Sequence, residues 1–529
     1  MKAGFGGTFA AGLCAHLYQF TNKLFNFDEL YNTPEGTGEG LGLGRFGLYY
    51  VGQLVKHFFG NYSLPLINGL VSLLLIAIAA CLIIEGLKIR NTLLGALIGG
   101  LMAVFPSVTC NFFFLFTSPY YSFALLLACL APFLILRYQK LPVFFLSVFL
   151  LAFATGIYQA YFAVSAAFLV TALILDCEKQ LNCACSDKNE FTVFFRRSLL
   201  DLVFLFSGLI LYILLNKLSI KIYHVELPDY QGLSSMGTID PVFIGKQMVR
   251  SYAHTLHLVS EDVYSLNPTS IIRVCILLLF ITAACLLVLT FRNGIRNGHN
   301  PLLLLMEPIL LLVFPLSLFL VLLMVTPDTY VQAAMLNSAV FSVIMPVAVI
   351  DCFLPAVSDP DQTVAKGTGG SQALSNLSGW ITLGSVLSII LVYIWYANGN
   401  YMALQYADYH DLAYYEVMLS QIKSTKGYTD DTPVIILGQN YTDHSFRAGN
   451  LVADTFYLYG TSPTFISAYS SPNLFTKYLG FTPEFLWDDE DELYYNTHPE
   501  VIAMPCYPDE GSIRMVDGVI VVKVEDHNS

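Results

Sequence analysis

The chain has 529 residues, of which 55% are hydrophobic and 12% charged, and its mean hydropathy is +0.61. A soluble globular chain carries about 25% charged residues, so the composition excludes a single water-soluble domain and calls for a helical membrane protein of many spans. The net charge of −13 resides in the C-terminal part: residues 398–529 hold 6 Lys and Arg against 19 Asp and Glu, whereas residues 1–397 hold 20 of each sign.

Two regions follow from this, a membrane body at 1–397 and an acidic tail at 398–529. Ten of the 11 cysteines precede the tail, and Cys506 stands alone within it, which excludes a disulfide inside the tail. Cys177, Cys183 and Cys185 share a short loop, but their spacing and the lack of a nearby His fit zinc poorly.

A membrane span needs about 20 mainly apolar residues. The first lies at 3–20, and with no clear small-residue cleavage site after it we read it as retained. The stretch Asn26-Phe27-Asp28-Glu29-Leu30-Tyr31-Asn32 comes next and places two adjacent carboxylates where the span emerges. A carboxylate is costly in hydrocarbon and belongs at the interface or in a polar cavity. There it can take a proton from an incoming hydroxyl as a general base; the competing reading is a pair of solvated loop charges. The polar and aromatic loop 22–62 continues through a glycine-rich patch at 35–44 to Arg45. Its glycines neither follow a strand nor end in Gly-Lys-Ser/Thr, which argues against a nucleotide-phosphate loop. Residues 46–59 read as a helix lying in the interface plane.

Spans are expected at 64–84, 93–108 and 120–136. The apolar run 142–175 is too long for one span and is divided near Gly156-Ile157-Tyr158-Gln159. Further spans fall at 199–218, 271–291, 302–325, 331–354 and 380–396, which makes 11. A second long polar loop occupies 219–269, and a Gly/Ser/Thr-rich loop occupies 358–378. Basic residues concentrate in the short loops on one side, which sets the N-terminus inside and places both long loops and the tail outside. The absence of matching broken spans in two halves argues against an inverted-repeat transporter. In the tail, 401–422 has helical periodicity, Val434-Ile435-Ile436-Leu437-Gly438 reads as a buried strand, and Val516-Asp517-Gly518-Val519 reads as a strand–turn–strand. A small α/β domain is expected there, with the acidic run 488–492 as a solvated face.

Asp28-Glu29-Leu30-Tyr31-Asn32, Gly44-Arg45-Phe46, Phe105-Pro106-Ser107, Gly156-Ile157-Tyr158-Gln159-Ala160-Tyr161, Asn400-Tyr401 and Pro433-Val434-Ile435-Ile436-Leu437-Gly438 occur in this order along nearly the whole chain. As an ordered set they resemble the GtrII-type glucosyltransferases, integral membrane enzymes of the bacterial GT-C superfamily. The resemblance implies a GT-C-like α-helical polytopic body with a C-terminal extracytoplasmic domain. It also implies a sugar donor on a polyprenyl phosphate and transfer to a cell-surface glycan on the outer face of the cytoplasmic membrane. An acid in the first outer loop would be catalytic, a position that Asp28 and Glu29 match.

In such a reaction a cation beside the leaving phosphate stabilises the transition state. Arg45 is the leading candidate, because a guanidinium binds phosphate bidentately; its competing role is an anchor to lipid headgroups. Lys246, Arg250, His254 and His257 recur at spacings of four, four and three and so share one helix face, which suits either the donor phosphate, an acidic glycan or anionic lipid. The two histidines lack an acidic partner at ligand spacing, and no metal or other cofactor is expected. Tyr158 and Gln159 are candidates for lining the pocket or for helix–helix hydrogen bonds, and Asp328 is a further outer acid or a plain turn residue. Expected partners are the bilayer, the lipid-linked sugar, the glycan acceptor, a flippase and a donor-synthesising glycosyltransferase, and no nucleic acid. The rival readings are a transporter or flippase of lipid-linked sugars and a non-catalytic scaffold of glycan assembly.

Overall fold

The computed structural model describes residues 1–25, 27–31, 39–60, 63–138, 140–183, 189–225, 241–325, 330–354, 369–438, 456–458, 471–486 and 488–525. Asp328, Cys185, Asn26, Asn32 and residues 35–38 of the glycine-rich patch lie outside the described residues. The helices in chain order are α1 (Lys2–Thr21), α2 (Phe27–Tyr31), α3 (Glu39–Gly42), α4 (Phe46–Phe59), α5 (Pro65–Gly86), α6 (Thr92–Val104), α7 (Pro106–Phe112), α8 (Ser118–Arg137), α9 (Leu141–Ile157), α10 (Tyr161–Leu181), α11 (Glu190–Tyr223) and α12 (Pro241–His257). They continue with α13 (Ser270–Arg296), α14 (Pro301–Leu318), α15 (Val321–Met324), α16 (Phe341–Phe353) and α17 (Gly369–Ser424). Strand β1 (Val434–Leu437) follows, then α18 (Ser471–Lys477), α19 (Asp489–Thr497), α20 (Pro499–Ile502), β2 (Ile513–Val516) and β3 (Val519–Lys523).

The chain divides into two compact units. The first comprises Met1–Asn22 and Thr33–Asn398, and the second Lys23–Asn32 and Gly399–Ser529. The acidic stretch after the first helix therefore groups with the tail rather than with the apolar body that the sequence assigns it to. A local tie explains this: the Phe25 amide donates to the Asp408 carboxylate at 3.1 Å.

In the first unit, seven described helices are long and apolar enough to cross a membrane, counting α17, and the bent pair α6–α7 makes an eighth. α9 and the segment Asn337–Phe353 are shorter apolar helices. The apolar run 142–175 does divide, with α9 ending at Ile157 and α10 starting at Tyr161. α10 is the central helix, with 94% of its apolar window buried, whereas 22% of that of α11 is. The large exposed apolar side chains of α11, among them Leu202, Phe206, Ile210 and Leu214, form the surface expected to face lipid.

α1 packs on α6 through small residues. A Cβ on Gly7 would collide with the Ala96 backbone, and one on Gly99 with the Gly4 backbone, so only glycine permits this approach. Farther along, α6 gives way to α7 at Phe105-Pro106 with a bend of 43°, because proline cannot donate into the preceding turn. The Ala103 carbonyl beside the bend accepts from His16 Nε2 at 2.9 Å, and the Phe112 carbonyl accepts from Gln19 at 3.2 Å. These buried polar side chains of α1 satisfy backbone groups that the broken helix would otherwise leave unpaired.

Residues 358–368 of the expected loop lie outside the described residues; 369–378 and the separate helices expected at 380–396 and 401–422 form the single helix α17. The turn-like Asn398-Gly399-Asn400 is helical, and Gly399 is needed for packing: a Cβ there would enter the Phe456 ring.

The second unit holds a three-stranded sheet in the order β1-β3-β2, with β1 parallel and β2 antiparallel to β3. Asp517 (φ 48°) and Gly518 (φ 84°) form the two-residue turn joining β2 and β3, as the Asp-Gly pair predicts. Alternation along β3 sends Ile520 and Val522 to one face with Met418, Ile422 and Phe475, and Val519 and Val521 to the other with Tyr495 and Met504. The acidic run 488–492 supplies the N-cap and first turn of α19, where carboxylates complement the helix dipole.

Gly7→Leu should force α1 off α6 and lower stability by about 1–3 kcal/mol. Gly6→Leu, which meets open space, should leave it unchanged. Thermal unfolding of the purified protein in detergent checks both.

Candidate functional site

Sequence reasoning nominated Arg45, Tyr158 and Gln159 separately, and the first unit brings them together. The chain turns tightly before α4: the Arg45 amide donates to Gly40 O at 2.7 Å and the Gly44 amide to Leu41 O at 3.1 Å. Gly44 has φ 74°, and a Cβ there would lie 2.8 Å from Tyr212 Oη and 2.9 Å from Gln159 Nε2, so both backbone and space require glycine. Gln159, in the break between α9 and α10, donates from Nε2 to Leu43 O at 2.8 Å and to Tyr212 Oη at 3.2 Å. Tyr212, from α11, donates its hydroxyl to Gly44 O at 3.1 Å.

This clamp fixes Arg45 at the N-cap position of α4. Its guanidinium carbon lies 5.0 Å from the centre of the Tyr158 ring, within the range of cation–π attraction. Nη1 donates to Tyr121 Oη at 3.4 Å. The Tyr121 and Tyr158 rings stack at 4.8 Å, Tyr161 meets Tyr158 edge-on at 5.9 Å, and Asn111 donates to Tyr161 Oη at 3.3 Å. A half-buried cation thus sits on an aromatic platform with hydroxyl and amide groups at its margin. Tyr121, Tyr161, Asn111 and Tyr212 were missed in the sequence, because isolated tyrosines in apolar helices carry no periodic signal; Tyr161 alone stood within a quoted motif.

Lys246, Arg250, His254 and His257 do lie on one helix, α12, but they differ in environment. Lys246 and Arg250 are exposed, and the histidines are half-buried. Arg250 Nε donates to His254 Nε2 at 3.1 Å, and Tyr264 Oη lies 3.3 Å from the same nitrogen. Accepting from a guanidinium requires Nε2 without a proton, so His254 is neutral. Burial first, then Arg250 and His257, push its pKa down to about 4. His257 faces Glu261 at 3.1 Å. No group of three or more potential metal ligands occurs among the described residues.

Asp28 and Glu29 belong to the second unit, on the short helix α2. Asp28 is half-buried, whereas Glu29 is 9% exposed. α2 packs on α18, and Lys477 at the end of α18 donates to Leu30 O at 2.5 Å. The Phe25 ring meets that of Tyr478 at a tilt of 51°, with centroids 4.6 Å apart. Burial, then the charges of Asp408 and Glu29, raise the Tyr478 hydroxyl. Burial, then Lys23, lower Lys477, and Glu29 opposes that shift.

Asp408, 4% exposed, accepts from Phe25 N through Oδ2, and its Oδ1 has no hydrogen-bond partner among the described residues. Asp411, one turn on, is also buried. These two acids were missed; their i, i+3 spacing on a helix with apolar periodicity is the signal that could have found them.

Several helices long and apolar enough to cross a membrane suggest a membrane protein. Residues 17–350 match the family model described as glucosyl transferase GtrII, and the chain belongs to that family. It is therefore a glycosyltransferase, and family membership makes its activity glucosyl transfer. The match includes Asp28, Glu29, Arg45, Tyr158, Gln159 and the α12 residues. No curated protein and no solved structure matches the chain.

Asp408→Ala should strand the Phe25 amide and cost about 1–3 kcal/mol, whereas Asp408→Asn, which keeps an acceptor, should retain most of the stability; thermal melting distinguishes them. The unfolded His254 takes a proton near 6.5 and the folded one near 4. Its contribution is therefore full above about 6.5 and declines as pH falls toward 4. His254→Gln should make stability fall less steeply across that interval, as read by melting temperature against pH.

Proposed function

We propose that this glucosyltransferase takes glucose or another hexose from a polyprenyl phosphate and delivers it, with inversion, to a cell-surface glycan. The reaction takes place on the outer face of a bacterial cytoplasmic membrane. The acceptor hydroxyl gives its proton to a carboxylate as its oxygen bonds to the anomeric carbon. The bond from that carbon to the phosphate oxygen breaks, and polyprenyl phosphate leaves.

Arg45 on its tyrosine platform is the observation that carries this reading. A guanidinium held over an aromatic face can offer N–H groups to phosphate oxygens. At the N-cap of α4 it adjoins the open amides of a helix's first turn, which also favour an anion. The tyrosines offer apolar faces and polar tips, which suits an amphipathic lipid-linked sugar. Lys246 and Arg250 are exposed cations that can serve a second anionic group of donor or acceptor. Asp28 is the preferred base because it is the more exposed of the two acids; Glu29, buried near Lys477, is better suited to holding α2 in place. A monophosphate leaving group steadied by arginine needs no metal and no further cofactor.

We assign one crossing each to α1, α5, α6–α7, α8, α9, α10, α11, α13, α14, α16 and the first part of α17, eleven in all. This count puts residues 22–62, 219–269 and the tail on one side. With the N-terminus inside, the tail is a small extracytoplasmic α/β domain. The donor then requires an upstream enzyme that makes the lipid-linked sugar and a flippase that turns it outward.

The test is transfer from a polyprenyl-phosphate sugar by the purified protein. Asp28→Asn should lose about 10²–10⁴-fold in rate with an unchanged melting temperature. Full activity in both Asp28→Asn and Glu29→Gln would overturn the assignment of the base.

A further inference from the structure

A second group of cations lies in the first unit at the end of the helices opposite Arg45, and the transfer reaction makes no use of it. The C-terminal turn of α5, the ends of α8 and α10 and the start of α11 border a small, partly open cleft. Lys88, Lys179 and Arg197 line it from three different segments, with Asp176 as the acid in its wall and Leu87, Leu136 and Leu175 among its apolar lining.

Its charges are unevenly compensated. Arg197 forms an ion pair with Asp176. The ammonium groups of Lys88 and Lys179 make no hydrogen bond or ion pair among the described residues, and Lys179 lies within electrostatic reach of both Lys88 and Arg90. The carboxylate of Asp351, also within reach, is already occupied by the Arg90 and Asn91 amides at 2.8 and 2.9 Å. The Arg90 guanidinium is spent on the Asp351 and Cys352 carbonyls. Lys179 is half-buried and Lys88 is exposed at the mouth, so two positive side chains converge on one opening, an arrangement that a bound anion stabilises.

The backbone sharpens the point. Cations near helix C-termini complement the helix dipole, which would explain Lys179 alone. Lys88, however, is the residue after the C-cap of α5 and has φ 59°. The Ile89 amide closes back on Ile84 O at 3.0 Å and the Lys88 amide on Glu85 O at 3.1 Å. Glycine is the ordinary occupant of that position, and a side chain there costs about 1–2 kcal/mol.

We propose that this cleft binds a phosphate group, held by Lys88 and Lys179 with Arg197 as a third donor, and that the phosphate is that of an anionic lipid. The lipid source is favoured by the apolar lining and by Val193 and Leu200, which flank Arg197 one turn to either side on α11 and are 64% and 36% exposed. They continue the wall as a track for an acyl chain. Basic sites between helix ends are suited to such headgroups.

The full-length protein in detergent is melted with added phosphatidylglycerol, with phosphatidylcholine and with inorganic phosphate. Wild type should gain a few degrees from phosphatidylglycerol and nothing from phosphatidylcholine. Lys88→Gly should keep or raise the basal melting temperature, since glycine fits φ 59°, yet lose the phosphatidylglycerol shift; Lys179→Gln should lose it too. Inorganic phosphate producing the same variant-sensitive shift would support the site and assign it to a soluble anion. No shift with any additive, or a phosphatidylglycerol shift equal in wild type and both variants, would overturn the proposal. Sugar transfer is not measured, so the outcome is independent of the roles given to Asp28 and Arg45.

Discussion

The side-chain amide of Gln159 is the interaction on which the arrangement around Arg45 depends. A chain that breaks inside an apolar bundle leaves backbone groups with no water to satisfy them. Here the break between α9 and α10 does not merely close on itself. It donates outward to Leu43 O while Tyr212 secures Gly44 O. The same two side chains bond each other, so three remote segments share one polar junction. Removing any member leaves a buried partner unsatisfied, which costs more than the bond contributes when intact. The position of the guanidinium over Tyr158 follows from this junction, because Arg45 comes one residue after Gly44.

Helical breaks are put to use twice in the first unit. At Phe105-Pro106 the bend leaves Ala103 O beside a buried histidine of α1, and at Tyr158-Gln159 the break holds the Arg45 turn. The first is a packing device, in which α1 approaches closely through Gly7 and supplies the missing hydrogen bond. The second presents polar groups to a place where a cation and hydroxyls already converge. Both were visible as motifs in the amino-acid sequence. Only the contacts of each break tell the two arrangements apart.

Much of the helical body was legible because apolar run length and basic short loops are properties of the local chain. The division near Gly156 could be read because 142–175 exceeds one membrane thickness and carries Tyr158-Gln159 at its middle. The tail strands could be read from β-branched runs and an Asp-Gly turn. The continuity of α17 could not: Asn398-Gly399-Asn400 has the composition of a break, and it stays helical because Phe456, distant in sequence, fills the space beside Gly399. The grouping of Lys23–Asn32 with the tail was hidden for the same reason, since the Phe25 amide and Asp408 are 383 residues apart. Of the site residues, Arg45, Tyr158 and Gln159 stood in motifs. The tyrosines that complete their surroundings come from helices whose sequences show only hydrophobicity.

The two groups of cations in the first unit show how neighbours decide what a positive charge is suited for. Arg45 is delocalised, planar and backed by aromatic rings, so its desolvation is offset before any substrate arrives. An ammonium would make a weaker contact with Tyr158 and would lack the fork that meets two phosphate oxygens at once. At the opposite end, Lys88 and Lys179 have neither aromatic backing nor a carboxylate of their own among the described residues, and the arginine among them is already paired with Asp176. Such lysines are open to an anion in the reading proposed above. The pre-organised cation suits a reaction whose charge develops only in the transition state, and the unsatisfied pair suits an anion that stays.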